Sequence, residues 1–186
     1  FNTPLLWKHK RLLSRLLDWF DVRESRISRW SQGFRIECDL SVVFERAIYL
    51  GLYDLPELAV VERLLTGKGV FIDCGANLGV YSLYAANKLR SNSSVISFEP
   101  NPEVFPRLTA NIRLNGFGQY VEAHAVALSD QEGTAKLCIP SYTHTIASLA
   151  PDKVEDPDAT HVEVPLETLD SILGERKTEG MKIDAE

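Results

Sequence analysis

Two acidic residues, Asp73 and Glu99, each end a short apolar run, and a small-residue loop follows the first. The first run lies in V-F-I-D-C-G-A-N-L-G, Val70 to Gly79. Val70, Phe71 and Ile72 read as a buried strand, because so brief an apolar run ending in turn residues fits a parallel sheet. In the loop, Gly75 lets the backbone turn tightly or approach a ligand without a Cβ in the way. Ala76 and Asn77 follow. Gly79 then opens a helix whose free N–H groups favour an anionic group. Ser94–Phe98 is the second run, and Glu99 ends it twenty positions beyond Gly79. An acid at about that offset hydrogen-bonds a ribose diol in doubly wound folds.

The type of ligand follows from two details. A dinucleotide site wants three glycines as G-x-G-x-x-G, and this loop has only Gly75 and Gly79. Asp73 would sit badly beside a pyrophosphate but well beside an ammonium. A ligand with an amine, a carboxylate and a ribose therefore fits better than NAD, and S-adenosyl-L-methionine has all three. Asp73 would take the amine, the loop and helix N-terminus the carboxylate, and Glu99 the ribose, with Pro100 and Asn101 beside it.

D-C-G-A-N-L-G followed by F-E-P-N-P-E-V-F-P-R-L-T-A-N-I-R-L-N resembles the FkbM-type family of S-adenosylmethionine-dependent methyltransferases. The lead-in Y-L-G-L-Y-D-L-P-E, the stretch A-L-S-D-Q-E-G-T-A and the terminal M-K-I-D-A-E resemble it too, so the similarity runs from about Ser41 to Glu186. It implies a Rossmann-like class I methyltransferase fold, α/β with a mostly parallel sheet and flanking helices. It also implies O-methylation of a hydroxyl on a small molecule or carbohydrate.

Around these residues the spacing predicts the elements that must hold them. Pro4 to Trp30 reads as a basic helical segment, either an accessory helix or one lying on a membrane surface. Gly33 to Phe44 alternates like a small hairpin, so residues 1–40 form an N-terminal accessory region ahead of a cofactor-binding domain at 41–186. A helix starts at Leu55-Pro56-Glu57, and Tyr53 and Glu57 are candidates to line the pocket just upstream of the first core strand. Helices follow at Val80–Leu89 and Glu103–Leu114. Tyr120 to Leu128 is the third strand, and Val126, Ala127 and Leu128 at its end suit a flat adenine. Thr134–Ile139 begins an inserted β-hairpin arm, Val162–Pro165 is a short strand, and Leu166–Leu173 is a helix. Met181–Asp184 is the fourth core strand.

Ligands in open α/β sheets sit at the carboxyl ends of the strands. Asp184 and Glu186 at the fourth tip are therefore the candidates to orient or deprotonate an acceptor, with His144 in the arm a further one. A divalent cation held by such carboxylates would stabilise an alkoxide, but no complete ligand set shows, and no metal site is assigned. A sheet of this kind has about seven strands, and only four are readable here. The chain is accordingly expected to be a fragment with its C-terminal strands missing, poorly soluble or oligomeric alone and without activity.

Composition sets the remaining bounds. The chain has 186 residues, 45% hydrophobic and 25% charged, as in an ordinary globular domain. A net charge of −6 speaks against nucleic acid as partner, although residues 1–35 hold eight basic and three acidic side chains. Three widely spaced cysteines, Cys38, Cys74 and Cys138, indicate a reducing, cytoplasmic setting rather than a disulfide framework. The competing readings are a cofactor-binding module without turnover, an RNA methyltransferase and an NAD-dependent oxidoreductase.

Overall fold

In the computed structural model, Val70–Cys74 (β3) is buried along its whole length and pairs in parallel on both sides. The model describes residues 23–184 except 54, 90–92, 144–146 and 151–155. Among these, β3 stands between Ser94–Phe98 (β4) and Thr178–Ile183 (β9), and Val121–His124 (β5) pairs with the far side of β4. The order β5-β4-β3-β9 puts Asp73, Glu99 and Asp184 at one end of one sheet. Side chains alternate between its faces. Phe71, Val95 and Val121 face Val80–Lys88 (α3) and Phe105–Leu114 (α4), whereas Val70, Ile72, Ile96 and Phe98 pack against Leu169–Leu173 (α5) and Met181. β3 and β4 are thus buried on both faces, which is why they read as continuous apolar runs. Full burial of each Phe or Ile is worth about 1.5–3 kcal/mol.

The first face extends into the lead-in segment. Ser25–Arg29 (β1) and Arg35–Asp39 (β2) form an antiparallel hairpin, and Trp30, Phe34, Ile36 and Cys38 are buried in the same core as α3 and α4. Val43–Tyr49 (α1) and Leu55–Leu64 (α2) connect the hairpin to β3. The expected helix to Trp30 is overturned over residues 25–29: Ile36 and Cys38 need a partner strand, and Trp30 turns inward to donate from Nε1 to the Ile48 carbonyl at 2.9 Å. The rest of that segment, residues 1–22, lies outside the described residues.

Two further expectations are corrected beyond β4. The third strand does not run through to Leu128. It ends at His124, stacked on Phe98 at 5.4 Å, and the chain then leaves the sheet. Ala127–Ser129 (β6) joins a second sheet, parallel to Thr160–Thr168 (β8), which pairs antiparallel with Gly133–Ile139 (β7). The helix expected from Leu166 starts only at Leu169, because the strand continues to Thr168. That residue's hydroxyl accepts from the Ser171 N–H at 3.2 Å and caps the helix there.

Candidate functional site

The β3–α3 loop is built on left-handed backbone. Gly75 has φ 71°, Asn77 φ 51° and Gly79 φ 92°, values that glycine and asparagine adopt most cheaply. The Gly75 and Ala76 N–H groups donate to the Phe98 carbonyl at 3.0 and 2.8 Å, so the loop is tied to the tip of β4. Gly79 has a second constraint: a Cβ there would stand 2.6 Å from Leu108 Cδ1. It is needed so that α4 can pack on the loop, and it does not line the cavity described below.

Glu99 fastens the other side. Its Oε2 accepts from the Asn77 N–H at 2.8 Å and its Oε1 from the Asn101 N–H at 2.9 Å. Each oxygen keeps lone-pair capacity for a further donor. The side chain is buried, and that burial raises its pKa above the ordinary glutamate value; the two backbone N–H groups pull the other way. Asp73 is fully buried one layer below. Its Oδ2 accepts from Ser82 Oγ at 2.5 Å, and Ser82 Oγ is also 2.7 Å from Ser97 Oγ. Its Oδ1 accepts no hydrogen bond among the described residues and faces Lys182 Nζ at 3.4 Å. Burial and the Asp73 charge push the Cys74 thiol up to about 11, so it stays protonated and unreactive.

A cavity of about 280 Å³ opens over these strand ends. Gly75, Ala76, Asn77, Glu99, Pro100 and Asn101 line one side, and Val126, Ala127 and Leu128 another. Tyr53 lines it as well, held edge-to-face by Phe44 at 4.9 Å. Asp184 stands at the rim with its side chain 65% exposed, and its N–H donates to the Cys74 carbonyl at 3.1 Å. Asp73 lies beneath the cavity rather than on its wall, and Glu57 is exposed on the first turn of α2, away from it. His144 and Glu186 lie outside the described residues. Among the described residues no three His, Cys, Asp or Glu side chains are grouped to hold a metal.

Sequence reasoning missed three contributors. Phe44 and Ile48 from α1, and Leu137 of β7 with Ala147 and Leu149 from the segment bridged to it at Cys138–Ser148, close the apolar part of the cavity. The third is Lys182. A lysine between Met181 and Ile183 in a core strand, in register with Asp73, was the available signal.

Residues 73–186 match the Methyltransferase FkbM domain family. This chain belongs to that family. The FkbM methyltransferases take S-adenosyl-L-methionine, and the observed site fits it: a buried carboxylate oxygen without a hydrogen-bond donor, a carboxylate at the second strand tip and a loop that opens on Gly75 and Ala76. Among curated proteins, the chain is 34% identical over 73 residues to Methyltransferase sdnD of Sordaria araneosa, a match covering 39% of this chain and 28% of that protein. It is 38% identical over 69 residues to AMB antimetabolite synthetase AmbE of Pseudomonas aeruginosa, covering 37% and 3%. The chain thus spans under a third of the length of either relative. Among solved structures, P. horikoshii TYW2 in complex with MeSAdo is similar with 14% identity and a TM-score of 0.46, over 88% of this chain and 84% of that one.

Proposed function

We propose that this FkbM domain binds S-adenosyl-L-methionine and transfers its methyl group to a hydroxyl of a small molecule or carbohydrate. The observation that carries the reading is Glu99. A buried carboxylate, held open by two backbone N–H groups at the second strand tip, is built to accept from a ribose diol. Gly75, Ala76 and Asn77 would hold the amino-acid end above Asp73, and Val126, Ala127 and Leu128 would flank the adenine. The bound cofactor supplies an electrophilic methyl on a sulfonium. The protein's own task is then to align an acceptor and take its proton. Asp184 is the carboxylate on the rim that can hold an acceptor hydroxyl and receive that proton, with Glu186 and His144 as further candidates. The net charge of −6 supports a small or sugar acceptor over nucleic acid.

Calorimetry with S-adenosylmethionine, S-adenosylhomocysteine and NAD tests the cofactor reading. Binding of the first two and not of NAD is the expected result. NAD binding without either adenosyl ligand overturns it. Mass spectrometry of hydroxylated metabolites incubated with isotopically labelled cofactor then identifies the acceptor.

A further inference from the structure

Lys182 holds its ammonium among the acceptors that a ligand amine at Asp73 would use. It lies opposite Asp73 in the β3–β9 register, hence on the same face of the sheet. Its Nζ donates to the Gly75 carbonyl at 2.8 Å and to the Cys74 carbonyl at 3.3 Å. It stands 3.4 Å from Asp73 Oδ1 and 3.7 Å from Asp184 Oδ2, and 5.1 Å from the centre of the Tyr81 ring. The side chain is only 14% exposed, yet the residue lines the cavity. A purely structural counter-ion would be expected to donate to its carboxylate. Here the shortest donation goes to a loop carbonyl on the cavity wall, and Asp73 Oδ1 is left without a hydrogen bond.

We propose that Lys182 and the α-ammonium of an adenosyl amino acid compete for one set of acceptors, the Gly75 carbonyl and Asp73. Lys182 thereby sets how tightly the amino-acid end of the ligand is held. The proposal rests on the reading of this cavity as the S-adenosylmethionine site. Two ammonium groups beside one buried carboxylate repel each other, and a carbonyl accepting from Lys182 has less capacity for a second charged donor. Lysine suits this role, since its compact charge sits on a flexible four-carbon stem.

Lys182→Met keeps most of the stem and removes the charge. In the intact chain, titration calorimetry should show S-adenosylhomocysteine binding about tenfold tighter to this variant, the worth of one charge-assisted hydrogen bond no longer surrendered. 5′-Methylthioadenosine, which has the adenosine and thioether but no ammonium, should bind within about twofold of wild type. The ratio of the two affinities is the readout. Lys182→Gln, which keeps a donor without the charge, should shift the ratio in the same direction and serves if the methionine variant does not fold. An unchanged or lower ratio in a folded variant overturns the proposal, because Lys182 would then support the amino-acid end directly or act only on the fold. Parallel changes for both ligands overturn it likewise. If the wild-type chain binds neither ligand, the cofactor reading fails and takes this inference with it. The wild-type titrations show that before any variant is made.

Discussion

At the scale of single residues, Glu99 has an observed structural duty and a proposed ligand-binding one, and the two should respond differently to pH. Its carboxylate bridges the Asn77 and Asn101 N–H groups, and burial raises its pKa above the ordinary glutamate value. In the native chain it therefore keeps a proton at a pH where the unfolded chain has released it. Its contribution to stability falls as pH rises from the ordinary value through the raised one, and is flat above. Ligand affinity runs the other way, because the ionised form is the better acceptor for a ribose diol. Affinity for S-adenosylhomocysteine should therefore rise as the pH climbs through that raised value. Glu99→Gln should weaken binding by about 1.5–3 kcal/mol and flatten that rise. Calorimetry across the range checks both, and a pH-independent affinity shared by wild type and variant would refute the assignment. Asp184, exposed at the rim, should behave otherwise. Asp184→Asn should lower turnover on an accepted substrate by on the order of a hundredfold while leaving the S-adenosylhomocysteine dissociation constant within about twofold. Equal losses in both would move Asp184 to the cofactor end of the site.

Among the elements, α4 connects the β3–α3 loop to the lead-in hairpin. Asn111 is buried, donates to the Leu78 carbonyl at 3.1 Å and accepts from the Glu37 N–H at 2.8 Å. Asn115 does the same for Arg35, accepting from its N–H and donating to its carbonyl at 2.7 Å each. The partners of Asn111 are 33 and 74 residues away, so its hydrogen bonds are tertiary and not local. Asn111→Ala should cost about 2–4 kcal/mol, since two backbone groups lose their side-chain partner. Urea unfolding should show it as a lower midpoint at unchanged slope. The same distinction between local and distant partners explains what could be read in advance. The loop, the strands β3 and β4 and the helix α3 announce themselves through local signals (apolar runs, positive-φ glycines and strand-end acids), whereas β9 begins at Thr178, three residues before the expected Met181. The break after His124, the long β8 and the strand at Ser25–Arg29 depend on which distant segment pairs with them. Lys182 escaped notice for the same reason, since only the register with Asp73 gives it a role.

For the whole molecule, two sheets diverge where the chain leaves β5, and the cavity lies in the gap. The ends of the parallel strands supply its polar wall, and the second sheet adds Ala127, Leu128 and Leu137 to its apolar one. Glu45 and Arg107 fix the lead-in region to this frame through a paired contact at 2.6 Å for each oxygen, with the glutamate fully buried. No helix among the described residues is long and apolar enough to cross a membrane. The pairing of β3 with β9 also sets a timetable for biosynthesis. Lys182 meets the Cys74 carbonyl across 108 residues of chain. At about 5–20 residues per second, a ribosome needs roughly 5–20 s to traverse that interval. Throughout it the nascent β3 has no strand on one side, and Asp73 has no lysine to answer its charge. Such distant pairing also slows folding, because a long loop must close before any contact rewards it. The β3–α3 loop is therefore made early and finished late, and a chaperone holding this chain during synthesis would be guarding the flank of β3.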